Sequence, residues 1–307
     1  MEWIKLGKIF SFENHSDDAV SHSMTASAMH LEGDRYRFYM NPRSKDGASR
    51  PHFIEVDMKD PFTILKVSEK SVIERGLTGA FDELGMVFTS YVTVDDELWF
   101  YYAGFPRTAK TIFFAHVGLA ASTDGGLTFK KKYPGPVKSV SKNEAYFSTG
   151  PRVYKIREDF FVLYYTSCDA WEEKDGKLKH FYNIKRATSA NGVDWSEGTP
   201  AIDFKNEHEY AISIPSLIIE DGIWKMWYSY RAQEVIKTYR IGYAESADGI
   251  TWERKDELMD HFDVSQSGWD SEMVAYPYVF DHKGERYMLY NGNGYGTSGV
   301  GLAKLKK

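Results

Sequence analysis

The sequence predicts an all-β protein, a five-bladed β-propeller with four antiparallel strands per blade, on three observations. The first is a repeat. TASAMHLEGDRYRFYM, FTSYVTVDDELWFYYAGF, TGPRVYKIREDFFVLYYTS, SIPSLIIEDGIWKMWYSYR and AYPYVFDHKGERYMLYNGN each run from a small residue or proline through an alternating apolar strand and a polar turn to an aromatic strand. Aligned on Ser27, Ser90, Pro151, Pro215 and Pro277, they recur at separations of 63, 61, 64 and 62 residues, the signature of one stacked supersecondary unit. The second is their continuation. VGLAASTDGGLTFKK, IKRATSANGVDWSEG and IGYAESADGITWERK read as a third strand, a tight Asp/Asn-Gly turn and a fourth strand opened by an aromatic residue. The third is closure. The last unit stops at VGLAKLKK, its third strand, while EWIKLGKI begins with Trp3 much as TWERKDEL begins with Trp252, so the N-terminal strand is expected to join the last blade and close the ring.

The bounds agree with this reading. The 307 residues have an even composition without a linker or low-complexity run, which predicts a single domain over 1–307. Aromatic residues make up 16%, with 21 Tyr and 8 Trp, as suits β-sheets and sugar-binding surfaces alike. A formal charge of −6 with interspersed signs offers no cationic stripe, so nucleic acid is not an expected partner. No apolar run predicts membrane insertion, the N-terminus lacks a signal-peptide core, and the lone Cys168 excludes an internal disulfide. A cytoplasmic protein is expected. Oligomeric state is not readable from the pattern.

Several tempting motifs have plainer explanations. Ser122-Thr123-Asp124-Gly125-Gly126-Leu127-Thr128-Phe129 fits an Asp-box, with shorter relatives at Ser189–Gly192 and Ser246–Gly249. There Asp or Asn caps its own turn and glycine takes a positive φ, at the blade periphery. His30, His52, His116, His180, His261 and His282 show no paired ligand spacing, so no metal site is predicted. Gly292–Gly296, GNGYG, is not a dinucleotide loop because it lies between strands.

In a propeller, residues just before the innermost strands line one mouth of the channel. Five positions before the aligned residues stand His22, Gly85, Tyr146, Tyr210 and Glu272; Asp82, Glu83, Glu144, Glu207, Glu209, Trp269 and Asp270 lie just upstream of the later repeats or beside these positions. Residues ending the aromatic strands, Arg43, Arg107, Asp169, Arg231, Asn291 and Asn293, supply a second ring. Carboxylates, guanidiniums, amides and aromatic rings on one pocket suit a polyhydroxylated ligand. The expected partner is a sugar, an oligosaccharide or an activated sugar.

The five units, DGIWKMWYSYR…YRIGYAESADGITWERK and WDSEMVAYPYVFDHKGERYMLYNGNGYG together resemble the five-bladed propellers of the glycoside hydrolase 43/32/68 superfamily, over essentially the whole chain. More narrowly, the chain is similar to uncharacterised glycosidase-like proteins found with bacterial polysaccharide-synthesis genes. The resemblance implies two carboxyl groups flanking a scissile bond, one raised in pKa to protonate the leaving oxygen and one ionised. NEHEYAIS supplies Glu207 or Glu209 for the acid, and Asp270 or Glu272 is expected as base or nucleophile. The first unit departs. SHSMTAS puts His22 and Ser23 where the family's Asp would stand, so His22 is a candidate general base in a non-hydrolytic version. A third version keeps the pocket as a binding module. Related propellers carry a central cation, but no cofactor or dedicated ligand set is indicated here.

Overall fold

A computed structural model describes residues 1–174, 176–233 and 236–306. It is nearly all β. The strands are β1 (Trp3–Phe10), β2 (Ser21–Glu32), β3 (Arg35–Arg43), β4 (His52–Asp57), β5 (Asp60–Val67), β6 (Met86–Val94), β7 (Glu97–Gly104), β8 (His116–Ser122), β9 (Lys130–Lys131), β10 (Ser148–Arg157), β11 (Phe160–Lys174), β12 (Lys177–Ser189) and β13 (Thr199–Ile202). There follow β14 (Glu209–Glu220), β15 (Ile223–Ala232), β16 (Ile236–Ser246), β17 (Glu253–Arg254), β18 (Ala275–His282), β19 (Glu285–Asn291) and β20 (Val300–Leu305). Each sequence repeat becomes a pair of hydrogen-bonded neighbours: β2–β3, β6–β7, β10–β11, β14–β15 and β18–β19. The turns follow from composition: Asp221-Gly222 and Lys283-Gly284 both hold positive φ, as two-residue hairpins require.

The residues cluster into two compact units. Unit 1 comprises Met1–Val72, Ser216–Arg231 and Ile236–Lys307; unit 2 is built on Ile73–Pro215. In unit 1, β2-β3-β4-β5 form one sheet and β1-β20-β19-β18 another, with Trp3 opposite Leu305 in an antiparallel β1–β20 pair. The N-terminal strand therefore joins the sheet of the last repeat. Trp3 is buried and meets Trp227 edge-on, with centroids 6.0 Å apart, in a core that includes Val274, Met288 and Tyr290. In unit 2, β6-β7-β8-β9 form a sheet, and β10-β11-β12 with β13 form another whose β12 meets β14 at Tyr182 and Ala211. Its core packs Trp99, Tyr101, Leu119, Val153, Leu163 and Tyr165.

The Ser122–Phe129 turn connects β8 to β9. Asp124 accepts from the Ser122 hydroxyl (2.6 Å) and the Leu127 and Thr128 amides (2.9 and 3.0 Å). Burial would raise its carboxyl, but these bonds outweigh it and hold the group down at about 2.

Candidate functional site

Most of the carboxylates expected to face a ligand are occupied inside the fold. Tyr102, Tyr165, Tyr228 and Tyr290, spaced 63, 63 and 62 residues apart, each donate a phenol hydroxyl to a carboxylate that also holds a cation. In unit 2, Asp82 takes Tyr102 at 3.0 Å and Lys131 at 2.5 Å, and Glu144 takes Tyr165 and Lys138, both at 2.5 Å, with Ser167 at 3.2 Å. In unit 1, Asp270 pairs with Lys5 at 2.7 Å and Tyr290 at 3.2 Å, while Tyr228 and Arg254 share Asp256. Asp82, Glu144 and Asp270 are only 1%, 4% and 2% exposed, so these carboxylates have no free edge to offer a ligand. Burial would push the Glu144 carboxyl up, yet the bonds from Lys138 and Tyr165 and the Lys138 and Lys185 charges bring it below its ordinary value. Third-strand glycines make room for the large rings: a Cβ on Gly118 would lie 2.2 Å from Tyr102 Cζ, and one on Gly301 would lie 2.3 Å from Trp269 Cη2. Trp269 is accordingly a packing residue over Tyr290 (5.2 Å).

Asn291 and Asn293 also work on the backbone. Asn291 is fully buried, accepting from the Thr25 amide (2.8 Å) and donating to the Ser23 and Gly299 carbonyls (2.7 and 3.2 Å). Asn293 Oδ1 accepts from the Glu272 and Met273 amides at 2.8 and 3.1 Å, and its Nδ2 donates to Gly268 O and Ser271 Oγ. It therefore positions the loop that carries Glu272. The Glu272 carboxylate itself is exposed, with no hydrogen-bond or ion-pair partner among the described residues.

A cluster in unit 1 remains open for recognition. Its centre is Tyr276, half-buried, at φ 56°, a backbone region that costs a bulky residue of order 1–3 kcal/mol and persists only where its surroundings enforce it. The enforcement is visible: the Tyr276 amide donates to Ser229 Oγ at 2.7 Å. Tyr276 lies 5.5 Å from the Tyr239 ring, which lies 6.2 Å from Tyr295. Arg231 spreads over both outer rings, 4.5 Å from Tyr239 and 5.5 Å from Tyr295, and donates to the Tyr295 hydroxyl. Tyr295 sits in the single helical turn Asn293–Gly296, itself at φ 59°, and the next residue, Thr297, meets His22 Nε2 at 2.9 Å. Ser21 Oγ lies 2.8 Å from His22 Nδ1, and Ser21 is the cross-strand partner of Arg43. The Arg43 guanidinium is exposed and makes no hydrogen bond or ion pair among the described residues. Burial, then the Arg43 charge, lower the His22 pKa to about 4. Because Thr297 Oγ1 donates to Gly294 O (2.8 Å), the network assigns the ring proton to Nε2 and leaves Nδ1 accepting from Ser21. A neutral imidazole with both nitrogens engaged is a poor general base near neutral pH.

Unit 2 holds the remaining predicted residues. Glu209 is 5% exposed and accepts from the Lys205 amide at 2.9 Å, while Glu207 is exposed, 3.8 Å from His208 Nε2. Tyr210 lies under the Lys179 ammonium (4.0 Å), and Tyr146 is half-buried. Arg107 pairs with Glu83, and Asp169 with Lys185.

Tyr239, Tyr276, Tyr295 and Thr297 were not singled out by the sequence. A signal existed for Tyr276: it precedes the aligned Pro277 as Gly150 precedes Pro151 and Ile214 precedes Pro215, and all three hold φ near 50°. A glycine at one repeat marks a left-handed position that other repeats must enforce.

No family model matches the sequence. The uncharacterized protein Rv1502 of Mycobacterium tuberculosis strain H37Rv is 32% identical over 309 residues, covering 100% of both chains. The chain belongs to the Rv1502 family. Its fold is similar to that of a solved structure described as a glycoside hydrolase, with TM-score 0.77 and 16% identity over 99% of this chain and 93% of that one. A thermostable family-43 glycoside hydrolase gives TM-score 0.65 and 14% identity over 94% and 91%. This member of the Rv1502 family thus has a glycoside hydrolase fold. No helix among its described residues is long and apolar enough to cross a membrane.

Proposed function

We propose that the protein is a carbohydrate-active protein of glycosidase type, with the Tyr276 cluster as its sugar-recognising surface. One observation carries this reading: Arg231 laid over Tyr239 and Tyr295 beside a strained Tyr276. The partly exposed Tyr276 and Tyr295 rings suit the apolar face of a pyranose, with buried Tyr239 backing Arg231, while guanidinium, phenol and hydroxyl groups bind its hydroxyls in pairs. The five repeats are read as five propeller blades, with β1 completing the last, in a cytoplasmic protein.

The hydrolytic or transglycosylating version needs one carboxyl as acid and another as base or nucleophile; Glu272, which lies in unit 1 with the cluster, is a candidate outside the tyrosine–carboxylate–cation triads. A mass-spectrometric product assay with pooled aryl-glycosides, oligosaccharides and nucleotide sugars tests it. A product that disappears in Glu272→Gln or Glu209→Gln, with sugar-induced thermal stabilisation kept, is the expected result. Undiminished turnover in both variants sinks the carboxylate mechanism.

A specific observation favours a second reading, a binding propeller without turnover. Where the resembling hydrolases have a first-blade Asp stands His22, neutral and held by Ser21 and Thr297. Stabilisation by a sugar with no product from the pool would select it.

A further inference from the structure

We propose that the ligand of the Tyr276 cluster is an anionic sugar, one bearing a carboxylate or a phosphate, a reading that rests on the cluster being the sugar site. Two guanidiniums serve this surface. Arg231 is fixed flat over Tyr239 and Tyr295, and Arg43 ends β3 opposite Ser21, whose hydroxyl meets His22. Arg43 is the informative one. Most other arginines that reach a carboxylate do so closely: Arg37 holds Glu55 at 2.7 Å, Arg254 holds Asp256 at 2.8 Å and Arg286 holds Glu220 at 2.8 Å. Arg43 holds none among the described residues, whereas Arg50 takes Asp18 at 3.4 Å. Arg43 joins the cluster through Ser21 and His22, whose Nε2 meets Thr297 two residues after Tyr295, so the two guanidiniums serve one group of side chains.

The loop before Tyr276 carries one carboxylate that is unpaired among the described residues, Glu272, whose backbone is tied to Thr238 and Asn293. The balance is positive, in a chain whose overall charge is −6. His22 is kept neutral there and adds no charge that would compete for the ligand. A neutral sugar would leave Arg43 without a counter-charge; a carboxylate or phosphate on the ring supplies one, and guanidinium matches either in bidentate geometry.

The test is calorimetric titration of the full chain with glucose, galactose, glucuronate, galacturonate, glucose 1-phosphate and inorganic phosphate. At least one uronate or the sugar phosphate is expected to bind about tenfold or more tighter than its neutral parent, the size of a charge-assisted hydrogen bond. That preference should collapse in Arg43→Gln, survive in part in Arg43→Lys, and persist in the control Arg157→Gln. Equal affinity for neutral and charged sugars, or a preference untouched by Arg43→Gln, overturns the inference and leaves the sugar site standing. Inorganic phosphate binding as tightly as the sugar phosphate, with no sugar contribution, overturns it in favour of a free anion. Binding of none of the sugars overturns the sugar site itself.

Discussion

Asp270 and Glu272 stand two residues apart, and the fold gives them opposite roles. Asp270 is buried against Lys5 and Tyr290 in one of four triads, while Glu272 lies exposed, unpaired among the described residues, on a loop clamped by Asn293. The same contrast separates the triads from the Tyr276 cluster. In the triads every charge has a partner and every phenol a carboxylate. Among the described residues Arg43 and Glu272 have none, and Tyr276 and Tyr295 hold strained backbone. The difference teaches that the acidic position repeated at Asp82, Glu144 and Asp270 marks a stability device. Function is read from the side chains that the repeat leaves unsatisfied.

Breaking a triad should produce the largest effect. Glu144→Ala removes one partner of a buried pair and strands Lys138, at an expected cost of about 3–5 kcal/mol in denaturant unfolding. Tyr165→Phe loses one hydrogen bond to the same carboxylate and should cost about 1–2 kcal/mol. An acid scan sharpens the point. The folded Glu144 carboxyl lies below its ordinary value of 4.5, so its contribution is full above that pH and is lost as pH falls through the lowered folded value. The acid limb of a stability–pH profile should therefore shrink in Glu144→Gln.

The cluster should behave in the other way. Tyr276→Gly removes the left-handed strain together with the ring, so unfolding should change by less than about 1 kcal/mol while sugar affinity falls about tenfold or more. Smallest is the effect at His22. Its imidazole should stay neutral, protonated on Nε2, until pH falls towards about 4, which nitrogen chemical shifts would report; titration near the ordinary 6.5 would refute the assigned network. The sign follows: a depressed histidine favours the fold at higher pH and withdraws that support between about 6.5 and 4 as acid is added.

Much of this was legible beforehand, for a physical reason. Strand alternation and turn glycines are local, so the hairpins and the joining of β1 to the last sheet could be read from Ser27, Pro277 and Trp3. Side-chain destinations are not local. Nothing near Asp82 or Glu144 in the chain announces Lys131 or Tyr165, and nothing near Asp270 announces Lys5, so these acids read as ligand groups. Asn291 and Asn293 misled for the same reason, since their partners are backbone groups that only the fold brings near.

The most direct test is a thermal-shift comparison of Asp270→Asn and Arg231→Gln, each with and without the sugar that most stabilises the unaltered protein. The account predicts that Asp270→Asn melts lower but keeps its ligand-induced shift. Arg231→Gln should melt within a few degrees of the unaltered protein, because its cation–ring contacts contribute only about 1–2 kcal/mol, and should lose the shift. The reverse pattern, with the shift lost in Asp270→Asn and kept in Arg231→Gln, would contradict it.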